Sequence, residues 1–391
     1  MNIIKLSFLC FSFWGIYMFG VRPFDLISIG FIIILLRHTV NQPIFFINRK
    51  YLLLIILILG LFLGYSLLGI VNSYTGTVST GPHSALDNLK LGIGLSLCLF
   101  IFIIIYSIDF NVKKLQPLIN KIILFHGLFI FLQFFSYYLF NVFINPLSIL
   151  MDSGIYSVNI LSDRALSQSD YLMQRSIAGG SLLYRPAGFF TEPSAYSITM
   201  IILLASRMHI NRKLNFPIIV GFLSVIMTFS LWGIISIATL FMIYRRKLFF
   251  IVFPMVVLYL GIFLKDLIFL GSSSPIWRLF NLWEDTSFLD RFNFFVEKKY
   301  ETYDLITTFF GHGLIHGNGN FLSMILSSFG VIGTIILFVI IFRLFNRSGR
   351  LQSLIILGLL LMHNEQILTL FIFWAWLAVI SKDFLPENSY G

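Results

Sequence analysis

This sequence reads as an all-α polytopic membrane protein, for three reasons. Of its 391 residues, 58% are hydrophobic and only 11% are charged, whereas soluble globular chains run near ~45–50% apolar and ~25% charged. Apolar runs without charge, of the roughly 18 residues or more that a ~30 Å hydrocarbon core requires, recur along the chain. The lysines and arginines gather in short loops at alternate span boundaries, as the positive-inside rule expects.

Taken in order, about twelve spans are expected, near residues 3–21, 24–36, 51–71, 89–108, 117–140, 193–206, 216–229, 231–244, 248–267, 320–344, 351–362 and 366–380, so that 1–391 forms a single membrane domain. Lys5 followed by an apolar run resembles a secretory signal. No small-residue cleavage site follows, and Arg22-Pro23 leads into another apolar run, so a retained first span is expected. With the N-terminus in the cytoplasm, the inner face takes 17 of the 27 bases, from Lys5 to Lys382, against Asp109, Asp383 and Glu387. The outer face keeps 10 bases and 14 of the 17 acids. Both termini are then cytoplasmic, and a bacterial inner membrane is the expected location. The net charge of +10 does not indicate nucleic acid, because the bases are scattered through loops and form no stripe. Cys10 and Cys98 lie in apolar runs, which speaks against a disulfide framework.

One stretch, Phe216 to Tyr244, is ambiguous between one tilted span and two short ones. Two helices of about 14 residues reach only ~21 Å each, short of the hydrocarbon thickness. Yet Arg212-Lys213 precedes the stretch and Arg245-Arg246-Lys247 follows it. A single span would put one basic cluster outside, so a hairpin turning near Ser230-Leu231-Trp232-Gly233 is expected.

Two polar segments, 141–192 and 265–319, are too long for simple connections and are assigned to the outer face as large loops. The first ends in "YRPAGFFTEPSAYS", Tyr184 to Ser197. Proline suits the first turn of a helix, so Pro193 reads as the start of a span, with Thr191 or Glu192 as its cap. A carboxylate is favoured there by the helix dipole, and Arg185 could simply reach for headgroups. The second loop carries Arg278 beside Trp277, Arg291 among aromatics, and then "FGHGLIHGNGNFLSMILSSFG", Phe310 to Gly330. Its glycines at 311, 313, 317 and 319 permit positive φ or close approach to a ligand. His312 and His316 are four apart, a metal-ligand spacing on a helix, but the glycines oppose a helix and no carboxylate completes a set. No metal or other cofactor is expected, and a lone loop histidine is more often a hydrogen-bonding structural residue than a catalytic one.

Arginines on two outer loops with a glutamate nearby suit chemistry on phosphate. Arginine stays charged and grips phosphate oxygens in a fork, and it stabilises charge developing on a departing diphosphate. A carboxylate or histidine can take the proton of an attacking sugar hydroxyl.

The layout of many spans, "RPAGFFTEPS" entering a helix, Ser287-x-x-x-Arg291, Gly311-x-Gly313, Asn320-Phe321-Leu322 and Gly330-Val331-Ile332-Gly333 resembles the bacterial O-antigen polymerase (Wzy) and O-antigen ligase superfamily. The resemblance implies a metal-independent glycosyltransferase of GT-C type at the outer face, taking glycan from an undecaprenyl diphosphate donor. In a polymerase the acceptor is another lipid-linked repeat unit, and in a ligase it is a lipid A core sugar. Carried onto this chain, Arg185 and Arg291 would bind the diphosphate, with Glu192 orienting an arginine or acting as base and His316 as a further catalytic candidate. Arg278, His312, Asn320, Tyr184 and Arg175 are the candidates for substrate contact. Ligases commonly carry His-Asn where this chain has Gly319-Asn320, which with "TEP" in the first motif favours a polymerase, whose product could be O-antigen or capsule. A chain-length regulator is a partner implied by the family alone. The rival reading is a lipid-linked oligosaccharide flippase or another transporter. Transport pathways usually place ionisable residues within spans, and no Asp, Glu, Lys or Arg lies near the middle of any span expected here.

Overall fold

The longest uncharged runs form the longest helices. In chain order the elements are α1 (Asn2–Phe11), α2 (Arg49–Thr75), α3 (Ala85–Ser107), a 3-10 turn (Val112–Leu115) leading into α4 (Gln116–Phe140), strands β1 (Ile177–Ala178) and β2 (Leu183–Tyr184), α5 (Pro193–Ile210), α6 (Phe216–Met227), α7 (Leu231–Tyr244), α8 (Leu305–Phe310), α9 (Phe321–Leu344) and α10 (Phe371–Ser381). The computed structural model describes residues 2–13, 49–75, 85–107, 112–147, 177–178, 183–190, 192–245, 305–311, 313, 321–344, 355–358 and 370–381, with isolated positions between 26 and 37 and at 250 and 254. The expected spans at 24–36, 248–267 and 351–362 lie largely outside the described residues. Most of the two outer-loop segments does too.

Leu53–Asn72, Leu89–Tyr106 and Val112–Phe140 are long and apolar enough to cross a membrane by length and composition. Their burial pattern supports that environment. On α2 the residues Ile55, Ile58, Phe62 and Ser66 are covered by protein, while Leu53, Ile56, Leu57, Leu63, Leu67 and Val71 are exposed. Both faces are apolar, although only one meets protein. A helix hydrophobic all round belongs in a core or in a bilayer, and exposure of the second face leaves the bilayer.

The chain divides into two compact units, Met1–Ile33 with Asn111–Phe288, and Ile34–Phe110 with Leu289–Gly391. In the first unit α4 and α6 approach closely because glycines face the contact. A Cβ on Gly127 would stand 2.6 Å from Val220 Cγ1, and one on Gly221 would stand 2.8 Å from Ile123 Cγ2. Small residues at such crossings let helices pack where lipid supplies no hydrophobic drive. α5 is buried along nearly its whole length.

The ambiguous stretch is a hairpin. α6 and α7 are separated by Thr228–Ser230, with Phe229 at φ 50°, and Ser230 caps α7 by accepting from Gly233 N–H at 3.3 Å. At the far end, Arg245 donates through Nε and Nη2 to the carbonyl of Arg212, at 3.0 and 2.6 Å. Arg212 and Arg245, one from each basic cluster, therefore lie at the same end of the pair. At the tip, Ser197 Oγ of α5 lies 3.2 Å from Thr228 Oγ1.

In the second unit Trp374 of α10 is fully buried, with its ring edge-on to Phe62 at 6.1 Å and to Phe102 at 6.4 Å. The expected 320–344 span is corrected in one respect: α9 is interrupted at Gly330, whose φ of 62° and ψ of −176° are not helical. In an unbroken helix the carbonyls of Ser328 and Phe329 would accept from residues four further on. Here Gly313 N–H donates to Ser328 O at 3.1 Å, and the Tyr65 hydroxyl donates to Phe329 O at 2.8 Å.

Candidate functional site

Tyr184 and Arg185 fall in the described stretch 183–190 and Glu192 opens the next one, and α4 fixes the position of the first. Helix α4 stops at Asn141, which takes the left-handed conformation at φ 53° and ψ 33°, a conformation asparagine tolerates better than most residues. Near that end Tyr138 reaches across to β2. Its hydroxyl accepts from Tyr184 N–H at 3.1 Å and lies 3.2 Å from Tyr184 O, to which it donates. β1 pairs on β2 with Ile177 opposite Tyr184.

Tyr184 is 1% exposed, its ring 4.5 Å from that of Tyr137 and 5.6 Å from that of Phe143. Burial, and secondarily Tyr137 and Tyr138, push its phenol well above the ordinary tyrosine range, so it stays neutral. In this arrangement Tyr184 anchors the strand that delivers Arg185.

After half-buried Arg185 the chain turns sharply, with Phe190 N–H donating to Ala187 O at 3.1 Å and Gly188 at φ 65°. Glycine is needed for that φ, and a Cβ there would also crowd Tyr196 Cδ2 at 3.3 Å. The turn drives its two phenylalanines inward. Phe189 stacks on Phe129 at 4.4 Å and meets Phe13 edge-on at 5.5 Å. Phe190 is fully buried against Tyr196 and His126.

Glu192 occupies the N-cap position of α5, extended at φ −141° and ψ 145°, and Pro193 opens the helix as expected. Its carbonyl accepts from Ala195 and Tyr196 N–H at 3.1 and 3.3 Å. Its carboxylate makes no capping bond to backbone and instead accepts from the Ser194 hydroxyl at 3.1 Å. The acid is thus partly exposed at a helix N-terminus, with its backbone and not its side chain in the capping role.

Arg175, Arg278, Arg291, His312, His316 and Asn320 lie outside the described residues. The glycines flanking His312 are described and explain part of that motif. A Cβ on Gly311 would stand 2.3 Å from Ser328 O, and one on Gly313 would stand 2.1 Å from Gly69 N. Gly311 thus lets backbone meet backbone at the break in α9, and Gly313 does so against α2. Among the described residues no group of three or more His, Cys, Asp or Glu could hold a metal.

Sequence reading passed over two buried polar residues of α4. Gln133 accepts from Gly188 N–H at 2.8 Å and donates to Ile144 O at 2.8 Å. His126 lies 3.4 Å, Nε2 to Oγ, from Ser12, with its ring 4.7 Å from that of Phe13. Their signal is a lone amide and a lone imidazole in "IILFHGLFIFLQFFSYYLF", side chains that carry no fixed charge to mark them within an apolar span. Comparison of the chain with protein-family models, with curated proteins and with solved structures gives no match.

Proposed function

We propose that this protein is a metal-independent membrane glycosyltransferase that polymerises oligosaccharide repeat units carried on undecaprenyl diphosphate, at the outer face of the bacterial inner membrane. The observation that carries the reading is the pinned turn between Tyr184 and Pro193. Tyr184 and Gly188, on either side of Arg185, are bonded to α4, and Glu192 stands at the start of an apolar helix. Charge stabilisation works best when the groups are held in place before charge develops, and a guanidinium suits a diphosphate leaving group. In this reading Arg185 and Arg291 neutralise the departing diphosphate. Glu192, by its carboxylate, takes the proton of the attacking sugar hydroxyl or orients an arginine. His316 is a further candidate base, and Arg175, Arg278, His312 and Asn320 are candidates for binding glycan or phosphate. The glycosidic bond forms as the anomeric carbon–phosphate oxygen bond breaks, and undecaprenyl diphosphate leaves.

Gly319-Asn320, where ligases commonly have His-Asn, supports a polymerase over a ligase. The test is purified protein in liposomes with a lipid-diphosphate-linked repeat unit as sole substrate, resolved on a gel. A product ladder lost in Arg185→Ala and Arg291→Ala is the expected result. Transfer only after adding lipid A core would make it a ligase. Movement of an authentic donor across the bilayer without transfer would replace the reading with transport.

A further inference from the structure

We infer that Gln133, inside helix α4, is a positioning residue for Arg185 relative to Glu192, and that with Tyr138 it forms a two-point clamp on the 184–188 segment that bears the arginine. The inference rests on the glycosyltransferase reading for what is being positioned, but not for the clamp. Gln133 is 1% exposed in a helix expected to lie in the membrane, where an amide without partners is strongly disfavoured. It makes three bonds. Its Oε1 accepts from Gly188 N–H at 2.8 Å, and its Nε2 donates to Ile144 O at 2.8 Å and to Gly188 O at 3.4 Å. Five residues along the same helix, the Tyr138 hydroxyl holds both the N–H and the O of Tyr184.

The two gripped residues bracket Arg185, and Gly188 stands between Arg185 and Glu192 in the chain. Gly188, at φ 65°, lies beyond the β1–β2 pairing, so its amide and carbonyl take their partners from elsewhere. Gln133 satisfies both and ties them to the 141–147 stretch through Ile144. A shift of this turn moves the guanidinium of Arg185 relative to Glu192, which α5 holds through its backbone. Displacements of about 1 Å can cost roughly a hundredfold in rate.

The substitutions that test this are Gln133→Leu, Gln133→Glu and Tyr138→Phe in the full-length protein, with two readouts. Hydrogen exchange of the 183–190 segment reports the clamp without any substrate. In Gln133→Leu and Tyr138→Phe that segment is expected to exchange about tenfold faster or more, while helices α2, α3 and α10 keep wild-type protection. In the liposome assay, Gln133→Leu is expected to lose about tenfold to a hundredfold in kcat with KM little changed.

Gln133→Glu supplies a signature that general destabilisation does not produce. A neutral carboxylic acid retains an acceptor for Gly188 N–H and a donor for Ile144 O, whereas the carboxylate retains only acceptors. Its activity should therefore approach wild type at low pH and fall as pH rises, a limb absent from the wild-type profile. Unchanged exchange in Gln133→Leu, or faster exchange with wild-type kcat, would overturn the inference. If wild-type protein yields no product, the glycosyltransferase reading fails by itself, and the exchange measurement alone decides whether the clamp exists.

Discussion

Arg185 and the glycines show how far single residues explain themselves. An arginine fork binds two phosphate oxygens at once, whereas lysine offers a point charge. Arg185→Lys is therefore expected to lower polymer formation by about a hundredfold while leaving thermal unfolding unchanged, and Arg291→Lys should behave alike. A fully active lysine variant at either position would remove it from the site. The glycines make a cleaner structural contrast. A Cβ on Gly330 would lie 2.4 Å from both Gly311 N and Phe309 O, at a φ of 62°, so Gly330→Ala should cost about 3 kcal/mol or more. Gly60 has open space around its Cβ position, and Gly60→Ala within α2 should stabilise by about 0.5–1 kcal/mol; unfolding in detergent compares the two. The sequence marked 311, 313, 317 and 319 as glycines that permit positive φ or close approach to a ligand, and 311 and 313 do take positive φ. It could not show that their close neighbours would be Ser328, Gly330 and Gly69, because contacts between segments so distant in the chain leave no local pattern.

The hairpin of α6 and α7 was legible because charge marks the ends of membrane helices. Two basic clusters flanking 29 residues made sense only if both lay on one face, and Arg245 bonding to the Arg212 carbonyl joins those ends. What sequence did not reveal was the tip. Phe229 adopts φ 50°, a conformation that costs a non-glycine residue roughly 1–2 kcal/mol, so no glycine signal stood there. Thr228 and Ser230 compensate with hydroxyl bonds, Thr228 to Val225 O at 2.6 Å and Ser230 to Gly233 N–H. The break in α9 was hidden for a related reason, since Gly330 sits in an apolar run that scores as one span. The hairpin predicts that single cysteines at Lys213→Cys and Arg245→Cys react with an impermeant thiol reagent from the same side of the membrane. Native Cys10 and Cys98 are buried and should contribute little background. Labelling from opposite sides would restore a single crossing and invert everything after it.

The whole molecule was legible in kind but not in arrangement. Composition alone indicated many apolar helices, because a chain with 11% charged residues has too little polar surface to cover itself in water. How those helices group was not legible, since a face against protein and a face against lipid are both apolar. Each compact unit joins stretches far apart in sequence, and the pinned turn depends on one amide and one hydroxyl in α4 that no charge-based scan detects. The membrane assignment has its own test on this ground. Leu63, near the middle of α2, is 46% exposed, and an exposed leucine of a water-soluble protein can be exchanged for lysine within about 0.5 kcal/mol. If that face meets lipid, Leu63→Lys places a charge near the bilayer centre, where insertion costs about 3 kcal/mol, and the yield of folded protein in membranes should fall sharply. Leu89, close to the start of α3 and 45% exposed, should tolerate lysine far better because its side chain can reach the interface. Equal tolerance at both positions would show that exposure here is to water; loss at Leu63 alone ties the uncovered apolar faces to the bilayer.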